Sequence, residues 1–74
     1  MVATADQIQA VIDPDGSDLE LNLVRMVPTS DPAFNDCYVV GGVPPYAGKS
    51  RWCRVTTAGN AAAQGAEIIA QMAA

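Results

Sequence analysis

Four groups of residues carry side chains whose types and spacing could do chemistry. Ala47-Gly48-Lys49-Ser50 ends like the phosphate-cradling loop G-x-x-x-x-G-K-[ST], in which backbone amides and a lysine hold nucleotide phosphates. The first glycine of that pattern should stand where Val43 does, and Gly42 comes one residue too early. Such a loop must also open a helix whose N-terminal amides face the phosphate, whereas Arg51 to Thr56 has the composition of a strand. The segment is expected to be a hairpin tip rather than a nucleotide site.

Asp13-Pro14-Asp15-Gly16-Ser17-Asp18 spaces carboxylates around a glycine, as calcium loops do, because that hard cation takes six to eight oxygen ligands. Asp13, Asp15 and Asp18 are the candidate ligands. Counted from Asp13, however, the loop positions that should hold glycine and a bidentate glutamate hold Asp18 and Val24. A polar turn accounts for the same residues: Pro14 sets φ, Gly16 permits positive φ, and Asp15 or Ser17 bonds the backbone. Calcium binding stays as the alternative.

Cys37 and Cys53 are the only cysteines, and there is no histidine, so one chain lacks four Cys and His ligands for a structural zinc site. The Cys-x-x-Cys spacing of redox motifs is absent too. Two outcomes remain open: a pair of buried thiols, favoured in a reducing compartment, or a disulfide across neighbouring strands.

Tyr46, Lys49, Arg51, Trp52 and Arg54 mix bases with aromatics, the chemistry of a single-stranded nucleic-acid surface. A net charge of −4 argues against that partner. As the sole tryptophan of a chain with few large apolar side chains, Trp52 is expected in the core, with the bases solvated beside it. For catalysis the inventory is poor. Without histidine, a general base would have to be a carboxylate, a cysteine or Lys49, and no nucleophile has a recognisable setting. An enzyme is not expected, and no cofactor is implied.

The elements that must position these groups follow from periodicity. Thr4 and Gln7 match a capping box, and Ala5, Ile8, Val11 and Ile12 then share a helical face, so a helix is expected over residues 5 to 13, stopped by Pro14. From Asp18 the apolar residues Leu19, Leu21 and Leu23 alternate with polar ones, which predicts a strand over about residues 18–27; Ser17 with Glu20 would allow a helix instead. Pro28 to Asp36 reads as a loop in which Ser30-Asp31-Pro32 could open one helical turn. Residues 37–40 and 51–56 read as the arms of a hairpin. If its tip centres on Pro45, facing residues have numbers that sum to about 90: Cys37 meets Cys53, and Tyr38 and Val40 share the other face with Trp52 and Arg54. Thr57 or Asn60 can cap a last helix to about Met72, whose buried stripe runs Ala61, Gly65, Ile68 and Met72, with Ala58, Ala62 and Ile69 beside it. Gly65 weakens a helix by about 1 kcal/mol against alanine, so a close helix contact is its expected compensation.

Length and composition bound the whole. The chain has 74 residues, half of them apolar, but 13 are alanine and only 24 are larger. That suffices for one domain over residues 1–74 with two thin layers. Residues 1–36 carry seven acids and Arg25, and residues 37–74 carry Lys49, Arg51 and Arg54 against Glu67, so charge is uneven along the chain. The first residues, Met-Val-Ala-Thr-Ala-Asp, lack a basic signal-peptide start, and no apolar run approaches a membrane span. A cytoplasmic protein without a membrane partner is expected. The expected fold is α+β in the order α-β-β-β-α, a three-stranded antiparallel sheet with both helices on one face. Its other face is then polar or an interface, with Tyr38, Val40, Val24 and Met26 as the candidate apolar strip. The expected function is a small acidic, non-enzymatic protein-protein interaction module, such as an assembly subunit, inhibitor or adaptor. Its candidate contact residues are Tyr38, Val40, Tyr46, Lys49, Arg51, Trp52 and Arg54, and its partner is another protein or a second copy.

Overall fold

Residues 3–15 and 20–74 are described by a computed structural model. The possible strand start at Asp18 and Leu19, the Ser17 cap and the Asp18 calcium ligand lie outside the described residues. Five elements follow one another: α1 (Ala5–Ile12), β1 (Leu21–Pro28), β2 (Phe34–Gly41), β3 (Ser50–Thr56) and α2 (Ala61–Ala73). The strands form one antiparallel sheet in the order β1-β2-β3. Both helices pack over the same face of it, α1 beside β1 and α2 beside β3. The α+β order α-β-β-β-α is the one that the periodicities predict.

α1 starts with the expected capping box: Thr4 N–H donates to Gln7 Oε1 at 2.8 Å and Gln7 N–H to Thr4 Oγ1 at 3.2 Å. Ile8 and Ile12 are fully buried, whereas Ala5 is exposed. Asn60, not Thr57, caps α2 by accepting the Ala63 N–H at 2.9 Å. Gly65, Ile68 and Met72 form its buried stripe. Ala58 and Ala62 are exposed rather than packed. At Gly65 an added Cβ would lie 2.4 Å from Val11 Cγ1, so glycine lets the two helices touch backbone to side chain.

The hairpin register is the expected one. All seven β2–β3 pairs, from Phe34↔Thr56 to Val40↔Ser50, have numbers summing to 90. β2 is longer than expected, because Phe34, Asn35 and Asp36 belong to it and not to the preceding loop. That loop closes as a tight turn: Phe34 N–H donates to Asp31 O, and Ala33 N–H to the Asp31 carboxylate. No helical turn forms there. In β1 the pairing shifts between Leu23 and Arg25, so Val24 is an extra residue in a bulge. Leu23 and Met26 turn to the core, and Val24 and Arg25 are exposed on the other side. Met26 is therefore no part of an exposed strip, because the bulge reverses the alternation that placed it with Val24.

Both outer edges of the sheet are occupied by helix side chains. Gln9 of α1 accepts from Leu23 N–H at 2.7 Å and donates to Leu21 O at 2.8 Å. On β3, Gln71 of α2 accepts from Arg54 N–H at 2.9 Å and donates to Arg54 O at 2.8 Å, and Glu67 accepts from Thr56 N–H at 3.2 Å. Each side chain stands where the backbone of a fourth strand would bond. At its far end β1 finishes on Pro28, which has no N–H to offer.

Two outcomes follow for stability. Gly65→Ala should lower it by about 1–2 kcal/mol in urea unfolding, because crowding against Val11 exceeds the propensity gain; Val11→Ala should then cost less in that background than in the wild type. Gln71→Ala should lose about 1 kcal/mol and raise light scattering at high concentration, because it bares the β3 edge.

Candidate interaction face

The register decides which side chains meet on the uncovered side of the sheet. Cys37, Val39, Cys53 and Val55 are fully buried beneath the helices. Their neighbours in the alternation, Phe34, Asp36, Tyr38 and Val40 on β2 and Trp52 and Arg54 on β3, turn the other way. Val24, Arg25 and Val27 of β1 complete this open face. Three of the chain's four aromatic residues stand on it. Trp52 is 53% exposed, so it is not the core residue expected of a sole tryptophan: the pairing Cys37↔Cys53 claims the helix side for small residues.

Tyr38 and Trp52 are cross-strand partners with ring centroids 5.1 Å apart and planes tilted by 47°, a favourable aromatic geometry. Arg54 Nε donates to Asp36 Oδ1 at 3.2 Å, and its guanidinium lies 6.0 Å from the Phe34 ring. This ion pair is solvent-exposed and contributes little stability. Arg25, opposite Tyr38, makes no ion pair with a described residue. Val40 is half-buried on this face.

The remaining candidates are on the helix side or at the tip. Arg51 donates to the Gln71 and Ala74 carbonyls, both at 3.0 Å, and Lys49 Nζ to the Met72 carbonyl at 3.3 Å. They bind the carbonyls that the end of α2 leaves without helical partners and oppose its dipole there. Tyr46 is buried, folded over Gly41, where a Cβ would meet its side chain and backbone. The tip is held by Tyr46 N–H to Val43 O and Lys49 N–H to Tyr46 O. Ser50 opens a strand, so Gly48-Lys49-Ser50 does not lead into a helix. The sheet thus brings together Tyr38, Val40, Trp52 and Arg54 and separates Tyr46, Lys49 and Arg51 from them. Phe34 and Arg25 join the face; the strand alternation could have found Phe34 had the loop been drawn shorter, but Arg25 is visible only through the bulge.

Cys37 and Cys53 face each other as free, buried thiols. Gly41 N–H donates to Lys49 O and Thr57 N–H to Ala33 O, which puts the odd-numbered β3 amides toward β2. The cysteines therefore occupy a hydrogen-bonded pair, with Cα atoms about 5.5 Å apart. Burial, then the neighbouring Cys53 and Asp36, push the Cys37 thiol up to about 11, and burial also raises Cys53. Neither is poised as a nucleophile. Asp13 caps the end of α1 through its N–H to Gln9 O, and Asp15 is exposed. Among the described residues no three Cys, Asp or Glu side chains gather as metal ligands, and no helix is long and apolar enough to cross a membrane.

The raised thiols set a pH dependence. Between the ordinary thiol value of 9.0 and about 11, the folded state holds a proton that the unfolded state loses, so stability should be constant below pH 9 and fall as pH rises through that window. Thermal melts from pH 8 to 11 check it, and Cys37→Ala should flatten the alkaline slope. In alkylation at pH 8, both thiols should react slowly in the folded protein and fast in denaturant.

The open face is thus a Tyr38–Trp52 stack flanked by valines and arginines, on a sheet whose edges are capped in part by Gln9, Gln71 and Glu67. Against protein-family models, curated proteins and solved structures the chain shows no match.

Proposed function

We propose that this protein is a small, non-enzymatic protein-protein interaction module whose contact surface is the open face of the sheet. The observation that carries this is the placement of Tyr38, Trp52 and Phe34 on the side that no described element covers. Tryptophan, tyrosine and arginine are the residue types that dominate binding energy at protein interfaces, and here they stand together with Val24 and Val40 between them. A contact through backbone pairing is disfavoured by Gln9, Gln71, Glu67 and Pro28 at the sheet edges. Side-chain docking on the face remains.

Single-stranded nucleic acid would use the same stack, but it also needs a basic track. Lys49 and Arg51 are turned to the end of α2, and Arg54 is paired with Asp36. A protein partner fits the remaining charge better. The thiols, buried and held protonated, and the absence of histidine support a binding rather than a catalytic role.

Val40→Asp places a charge on this face. The expected result is loss of partner capture in co-purification from the native source, with helix content by circular dichroism unchanged; Asp15→Asn serves as the surface control and should keep capture. Unfolding of Val40→Asp would instead make that position core, and capture indifferent to both Val40→Asp and Tyr38→Ala would overturn the assignment.

A further inference from the structure

A contact through the open face leaves one reactive pair of side chains unused. Cys37 and Cys53 are the chain's only cysteines, so a single intramolecular disulfide is possible. They are direct cross-strand partners, both free and both fully buried on the helix side of the sheet. Met26, opposite Cys37 on β1, has a thioether with no proton to lose and cannot enter thiol exchange.

The backbone already brings the two thiols to bonding reach. A hydrogen-bonded antiparallel pair holds its Cα atoms about 5.5 Å apart, inside the roughly 4.4–6.8 Å that a disulfide spans. The fit is not free of strain. Cβ atoms in such a pair stand about 5.5 Å apart, whereas a disulfide asks for roughly 3.5–4.5 Å, so the strands must draw together locally. A bond closed under that tension is readily reduced.

We propose that Cys37 and Cys53 are a reversible redox pair, closed by low-molecular-weight disulfides into a cross-strand bond inside the folded sheet. One cysteine thiolate attacks a sulfur of the reagent R–S–S–R, whose S–S bond breaks to expel RS−, and a mixed disulfide remains on the protein. The second thiolate attacks the protein-side sulfur and expels the other RS−. The protein loses two electrons and two protons, and the reagent ends as two RSH. Burial raises both thiols; Cys53 and then Asp36 add to this at Cys37, whereas Arg51 opposes it at Cys53. Cys53 therefore ionises first and makes the first attack. The reagent reaches it when α2 lifts from β3, where Gln71 and Glu67 tie the helix down. Once closed, the bond lies between the pairs Asp36↔Arg54 and Tyr38↔Trp52 and pins the register that sets the aromatic stack. The pair stands on the sheet geometry whatever the open face binds.

The test is to equilibrate the folded protein at pH 8 in buffers of oxidised and reduced glutathione, starting from both reduced and oxidised chain, and to read intact mass and circular dichroism after acid quenching. In excess oxidised glutathione the monomer should become two hydrogens lighter with its helix content unchanged, and millimolar reduced glutathione should return it to two thiols. Gln71→Ala should reach the same end point several times sooner. Cys37→Ser and Cys53→Ser should stop at one glutathione adduct, formed faster on Cys37→Ser, which keeps the attacking thiol; the reverse order overturns that assignment. A folded chain that keeps both thiols at equilibrium, while the chain in urea closes its loop, overturns the pair. So does an oxidised form that has lost its helices, because the bond then does not belong to the folded sheet. A disulfide that survives millimolar reduced glutathione overturns the reversibility.

Discussion

The contact of α1 with α2 at Val11 and Gly65 is the constraint on which the rest of the architecture depends. Three strands put only about 10 Å between the axes of β1 and β3, and two helices side by side need 8–10 Å between their own. Two helices fit over so narrow a sheet only if they touch closely, and Gly65 provides that room beside Val11. Each helix then lies above an edge strand. From there Gln9 reaches Leu21 and Leu23, and Gln71 and Glu67 reach Arg54 and Thr56. The same seating brings the C-terminal carbonyls of α2 within reach of Arg51 and Lys49. One close approach thus supports the layer, the edge closure and the helix end.

With both helices committed to one side, no element of the described residues lies over the other. The charge pattern follows that division only in part. Asp6, Asp13 and Asp15 lie on or just after α1, whereas Asp31 is in the β1–β2 turn and Asp36 on the open face; of the four bases only Arg25 and Arg54 reach that face. The β2–β3 hairpin, basic as a string, divides its charges between the two sides of the sheet.

Much of this was legible without coordinates. The Thr4–Gln7 box, the hairpin register about Pro45, the facing cysteines and the closeness implied by Gly65 all follow from local rules, because each depends on neighbours three, four or two residues apart or on one symmetric turn. What escaped needs information from distant elements. Alternation says that Tyr38, Val40, Trp52 and Arg54 share a face but not which face the helices take, and residue type alone points Trp52 inward. The bulge at Val24 reverses the β1 pattern and leaves no mark in the composition. Gln9 and Gln71 look like ordinary polar positions until the sheet edges lie beneath them. Lys49 and Arg51 share a basic stretch with Arg54, yet the carbonyls they bind come from residues 71–74.

The outward place of the aromatics follows from the same packing. A helix layer rests on Cys37, Val39, Cys53 and Val55, and the core cluster between the layers is aliphatic and thiol side chains apart from Tyr46 at the hairpin tip. A slip of one residue in the hairpin would exchange the two sets and drive Tyr38 and Trp52 under the helices. The tip opposes that slip: Tyr46 folds onto Gly41, and Gly41 N–H bonds Lys49 O. Register, and so the identity of the exposed rings, is fixed by a glycine at the point of closest approach and by small residues in the core. A sheet built this way leaves Tyr38 and Trp52 on the side away from the helices, and it is this placement that the proposed contact would use.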